Sequence, residues 1–167
     1  LTRMQESIGG QPPAPADSQP NVTYIGDWKD MFFNGESIRL FYEPNAHTDG
    51  DSMVYFRRSD VLSVGDIYNT NNYPVIDKAR AGSIQGVLKA LNHMLEITIP
   101  KDRQEGGTVV IPGHGRVSDE ADLAEYRDMV TIIHDRIKDM VDRGLTLEQV
   151  KAAKPTIDYD PRYGSGN

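Results

Sequence analysis

Three residues capable of metal or acid–base chemistry share one kind of position in this chain. His47, in the stretch PNAHTDGDSMVYF, comes after a predicted strand ending near Tyr42; Asp66 follows VLSVG, and His114 follows TVVIPG. Each lies just beyond the carboxyl end of a strand. Loops at one edge of a sheet converge there, and the rigid strands hold the loop residues in place. The chain has no cysteine, so disulfides and thiolate sites are excluded and any metal would be held by nitrogen and oxygen. Two imidazoles and a carboxylate are a donor set that zinc accepts. The same spacing suits loop residues that are only solvated or hydrogen-bonded locally, and the residues by themselves leave both readings open.

Other polar groups near these positions have plainer readings. Asp49-Gly50 is a tight-turn pair and Pro44 breaks the structure before it, so Asp49 and Asp51 read as turn formers or as hydrogen-bond acceptors for a ligand histidine. His93 and His134 fall on predicted helices with nothing of ligand spacing beside them, which makes them surface or helix-edge residues. Tyr68, Asn69, Asn71, Asn72 and Tyr73, downstream of Asp66, form a polar and aromatic run that suits a solvated turn or the mouth of a site.

At 167 residues with a formal net charge of −7, the chain is long enough for one domain with its own core. It lacks the basic stripe that a nucleic-acid partner would need. No apolar run approaches the roughly 18 residues of a membrane span, so a soluble protein is expected, cytoplasmic or periplasmic. The amino terminus shows neither Met nor the layout of a signal peptide and reads as the middle of a longer protein. Residues 9–20, GGQPPAPADSQP, have a linker's composition, so residues 1–21 are expected to be linker-like or disordered.

From Val22 onward strand and helix patterns alternate, which predicts a layered α/β or α+β domain. Residues 28–33 and 37–42 flank Asn34-Gly35, a strong signal for a two-residue hairpin. Residues 52–56 and 61–64 make a second hairpin around the polar tip at 57–60. Ile84, Val87, Leu88, Leu91, Met94 and Leu95 repeat at helical spacing and predict a helix over 83–97. Residues 108–111 form a β-branched strand before Pro112. A second helix follows, with Ser118 as its expected N-cap and Leu123, Tyr126, Val130, Ile133, Ile137 and Val141 as a stripe facing the sheet. Thr146 and Gln149 make a capping box for a short last helix, and 155–167 read as a polar, frayed tail.

HTDGD after a strand, a strand ending in Gly65-Asp66, and IPGHG at residues 111–115, in that order, resemble the carboxyl-terminal half of the metallo-β-lactamase-fold hydrolases. The resemblance runs from about Val22 to about Ala153, so it implies that residues 22–154 are the carboxyl-terminal half of such a domain. The implied fold is an αββα sandwich, of which this chain supplies mainly a mixed sheet and two main helices. It also implies that His47 binds one zinc, that Asp66 bridges two zincs, and that His114 binds the second. Asp66 would thereby be the catalytic carboxylate, neutralising the paired cations and orienting a metal-bound hydroxide that attacks an ester, thioester, lactam or similar bond.

The chain departs from the family at one point: the His-x-His-x-Asp-His run of the amino-terminal half, which supplies the other ligands, is missing. Three explanations compete: a fragment of a full hydrolase, a degenerate relative acting in binding or self-association, and a structural site for one metal. The fragment is favoured, because three ligand positions survive beside an abrupt start. The parent is then a zinc-dependent hydrolase of a small-molecule substrate whose class the residues do not reveal, and this chain alone is expected to be inactive and to hold zinc weakly. A half-fold also leaves Val54, Phe56, Val61 and Val109 on a sheet face that expects a facing sheet, so either the missing half or a homodimer should cover it.

Overall fold

The computed structural model describes residues 12–164. Five strands make one sheet in the order β1 (Trp28–Phe33), β2 (Glu36–Glu43), β3 (Asp51–Phe56), β4 (Val61–Asn69) and β5 (Val109–His114). The first four pair antiparallel, and β5 joins β4 in parallel. A parallel neighbour needs a crossover rather than a hairpin, and α1 (Ile84–Ile97) provides it. After β5 come α2 (Glu120–Asp142), α3 (Leu147–Ala153) and α4 (Asp160–Tyr163). None of the helices among the described residues is long and apolar enough to cross a membrane.

Both expected hairpins are present. Phe33 pairs with Glu36 across Asn34-Gly35, where φ is 50° and 76°, the two positive values that a type I′ turn requires. Phe56 pairs with Val61 across the second tip.

Side chains alternate across a strand, so the registers Phe41↔Met53 and Leu62↔Val110 place these four on one face. They form the core with Val87, Ala90, Leu91 and Met94 of α1 and Leu123, Tyr126, Met129 and Val130 of α2. The opposite face carries Ile38, Phe56, Val61 and Val109, linked by their registers, with Met31, Phe33 and Ile111 beside them. None of these seven belongs to the helix-packed core, and Met31, Phe33, Val109 and Ile111 are 44%, 69%, 37% and 39% exposed. The helices therefore cover one side of the sheet only.

Two expectations at helix ends and beyond are corrected. Ser118 does not cap α2: it exchanges backbone hydrogen bonds with Val110, 2.8 and 2.9 Å, which keeps it extended and hands the cap to Asp119, whose side chain accepts from the Asp122 amide. The segment after Pro155 is not frayed up to residue 164. It folds back as α4 and buries Tyr163 to 3% exposure against Tyr126 and Tyr73, with ring centroids 5.6 and 6.0 Å apart. An aromatic residue in an otherwise polar tail can supply the anchor that composition does not advertise. Ser83 caps α1 and the Thr146/Gln149 capping box opens α3, both as expected.

Candidate functional site

Because β3 runs antiparallel to both of its neighbours while β5 runs parallel to β4, the carboxyl ends of β2, β4 and β5 lie at one sheet edge. Asp66 lies inside β4 rather than beyond it. Strict alternation from Leu62 and Val64 would turn residue 66 into the core. The ladder instead shifts register at Gly65, which has φ 54°, and such a bulge re-aims the following side chain. Ile67 takes the next buried place at 1% exposure, while the Asp66 side chain stays 48% exposed.

His114 ends β5 and brings its Nε2 to 3.3 Å from Asp66 Oδ1. The approach depends on the residue before it. A Cβ on Gly113 would stand 2.3 Å from Asp66 Oδ1 and 2.7 Å from the Gly65 carbonyl oxygen, so only glycine lets the carboxylate and the imidazole share this corner. Behind them, Thr70 bonds the backbone at His114 and just after it: its amide donates to the His114 carbonyl (3.2 Å) and its hydroxyl accepts from the Arg116 amide (2.9 Å). Sequence reasoning passed over Thr70, because nothing local distinguishes a threonine in a polar loop.

His47 sits in the loop between β2 and β3, which is tied to the start of α1. The Asn45 carbonyl accepts from the Ser83 hydroxyl (2.9 Å), and the His47 carbonyl accepts from the Asp77 amide (2.9 Å). Its Nδ1 faces Asp51 Oδ1 at 3.5 Å, a contact too long for a good hydrogen bond. Asp51 meanwhile accepts the Thr48 amide at 2.6 Å, so it closes the turn and neighbours the imidazole at once. Asp49 belongs to the turn, its amide donating to the Arg80 carbonyl and its carbonyl accepting from Tyr42.

Asp66 and His114 are thus together, while His47 lies on the β2–β3 loop at the same sheet edge, beyond a strand whose end is two strand spacings, about 10 Å, from that of β4. Among the described residues no group of three or more His, Cys, Asp or Glu could hold a metal ion. A catalytic zinc takes about three protein ligands. The described side chains therefore do not fit a metal centre by themselves; the Asp66–His114 pair offers one oxygen and one nitrogen donor.

Of the remaining candidates, Tyr68 is neither a mouth nor a solvated turn residue: at 2% exposure it packs edge-on against Tyr126 at 4.9 Å, and burial pushes its hydroxyl pKa up. His93 is more than a helix-edge residue, for its Nδ1 meets Glu43 Oε1 at 2.5 Å. That bond holds its pKa above the ordinary histidine value. His134 faces Asp135 at 2.9 Å on the outside of α2.

No family model and no curated protein sequence matches the chain. Solved structures do. The stereoselective inverting sec-alkylsulfatase Pisa1 from Pseudomonas sp. superposes with a TM-score of 0.63 at 21% identity, over 80% of this chain and 22% of its own. The B3 metallo-β-lactamase BLEG-1 gives 0.54 at 20% identity, over 74% and 55%. A metallo-β-lactamase from Pontibacter korlensis gives 0.52 at 18% identity, over 68% and 50%. The chain spans well under two thirds of the length of each. At these identities the likeness is one of fold, and with a five-stranded mixed sheet backed by helices on one face the chain has the metallo-β-lactamase fold in part.

Proposed function

We propose that this chain is the carboxyl-terminal part of a metal-dependent hydrolase, and that Asp66 and His114 are its contribution to a zinc centre completed by residues outside the chain. The observation that carries the reading is the 3.3 Å approach of His114 to Asp66 at the carboxyl edge of the sheet, in a fold shared with an alkylsulfatase and metallo-β-lactamases. His47, on the same edge, would join them once the remaining part of the fold sets its loop. Zinc, when bound, would supply the Lewis acidity and the activated water of such hydrolases. The chain's own residues would bind and orient, Asp66 with its carboxylate and His114 with its imidazole. The uncovered sheet face would receive the second sheet of the same fold, because the chain spans only about half of the β-lactamase chains that it superposes on.

The test needs the parent protein with its amino-terminal half. Assayed with saturating zinc on esters, thioesters, β-lactams and alkyl sulfates, it should hydrolyse at least one class, and Asp66→Asn should lower turnover on the order of a hundredfold or more. This chain alone should be inactive and, after extensive dialysis, should retain well under one zinc per molecule by elemental analysis, since two donors bind weakly. Near-parental turnover with Asn at position 66 would remove Asp66 from the centre, and one tightly held zinc in the isolated chain would show that the site is complete without the other half.

A further inference from the structure

Asp66 and His114 are both exposed, at 48% and 69% of their side chains, and neither is walled in by packing. Something other than burial must hold them face to face. The Asp66 side is fixed by the bulge at Gly65 and by the bare Gly113 beneath it. The His114 side is the last residue of β5, followed by Gly115 at φ 98°, and a strand end before a glycine has little stiffness of its own.

Thr70 supplies what the strand end lacks. Its amide donates to the His114 carbonyl at 3.2 Å, and its hydroxyl oxygen accepts from the Arg116 amide at 2.9 Å. That hydroxyl also donates to Asn71 Oδ1 at 3.3 Å, which orients its lone pairs toward Arg116. Gly115 fits the grip closely: a Cβ there would lie 1.9 Å from Thr70 Oγ1. One residue just past β4 therefore ties down the chain at the histidine that ends β5 and again two residues after it.

We propose that Thr70 is a positioning residue for His114: by holding the His114 carbonyl and the Arg116 amide that follows, it fixes the exit of the strand and sets the imidazole against the Asp66 carboxylate. The proposal rests on the reading of Asp66 and His114 as metal ligands, since partners behind a ligand of this kind set its orientation and affect affinity strongly. It adds a residue that touches no metal and acts only through His114.

The test compares Thr70→Val, which keeps the shape and deletes the hydroxyl acceptor, with Thr70→Ser, which retains it; Thr70→Ala replaces Val if that variant does not fold. Two readouts are taken on the whole chain. Crystal structures measure the His114–Asp66 separation, and titration with zinc chloride, followed by the His114 ring signals in NMR, measures affinity. In Thr70→Val the separation should open beyond about 4 Å, out of hydrogen-bond reach, and zinc affinity should fall about tenfold, with the melting temperature nearly unchanged. Thr70→Ser should restore both. An unchanged separation and affinity in Thr70→Val, or a Ser variant that behaves like Val, overturns the proposal. If zinc leaves the His114 signals unmoved in the wild-type chain, as two donors binding weakly would allow, the metal reading is decided by the parent protein and the separation alone decides Thr70: opened in Val and retained in Ser supports it, unchanged in Val overturns it.

Discussion

Glu43 Oε1 lies 2.5 Å from His93 Nδ1 and joins the last residue of β2 to α1. Glu43 is buried at 3% exposure, and His93 stacks edge-on against Phe41 at 4.8 Å. The hydrogen bond to Glu43 raises the His93 pKa above 6.5, with Glu96 reinforcing it and burial and Lys89 opposing it. A folded-state value above the unfolded one means that the charged pair stabilises fully below about pH 6.5, and that this contribution is lost as pH rises through the raised folded value.

The urea midpoint of the wild-type chain, relative to Glu43→Gln, should therefore be highest in mildly acidic solution and decline on the alkaline side of about pH 6.5. The variant itself should lose roughly 1–3 kcal/mol at the acidic end, where a buried charged partner is removed. Parallel stability curves for the two proteins across that range would show that the pair does not govern folding.

Gly113→Ala should destabilise the chain by about 1–3 kcal/mol, because the added carbon meets fixed backbone as well as the Asp66 side chain. The Gly65 carbonyl carbon and oxygen would be 2.6 and 2.7 Å away, and both are held in the β4–β5 ladder. Urea denaturation of the purified variant is the measurement. A loss below a few tenths of a kcal/mol would mean that the strands can part at no cost.

Removing the last anchor should be as severe as a core truncation. Tyr163 packs on Tyr126 and Tyr73, and the Tyr73 hydroxyl donates toward the Thr156 carbonyl (3.2 Å) and to Asp160 (2.8 Å). Tyr163→Ala is expected to cost about 3–5 kcal/mol, as for other buried aromatics, with a chain truncated after Pro155 at least as unstable. Thermal unfolding followed by circular dichroism checks both, and wild-type melting in the truncated chain would make the tail dispensable.

Without the rest of the fold, the exposed sheet face should pair with a second copy. Met31, Phe33, Val109 and Ile111 are all exposed on it, and burial is worth roughly 25 cal/mol per Å². Light scattering on a sizing column at micromolar concentration should show a dimer, and the double variant Phe33→Glu, Ile111→Lys should run as a monomer. A folded wild-type monomer would mean that this face tolerates water.

Local chemistry was enough to settle much of this protein from its residues. Asn34-Gly35 dictates its hairpin, because few other pairs accept two positive φ values. Ser83 and the Thr146/Gln149 box open their helices, because a cap satisfies amides within one turn. The apolar spacing of residues 84–95 and of 123–130 selects the faces that the core uses. The strand-end positions of His47 and His114, and the GD of Gly65-Asp66, likewise stand out by residue type and order. Tertiary structure decided what no short window contains. The bulge at Gly65 turns Asp66 out of the core, the pairing of β4 with β5 across a whole helix brings His114 to it, and β3 lies between the strand that leads to His47 and the strand that carries Asp66. Thr70, Glu43 and Tyr163 have partners 46, 50 and 37 or more residues distant. Local propensity carries no information about contacts at that separation, because they form only when the sheet and its helices have already packed.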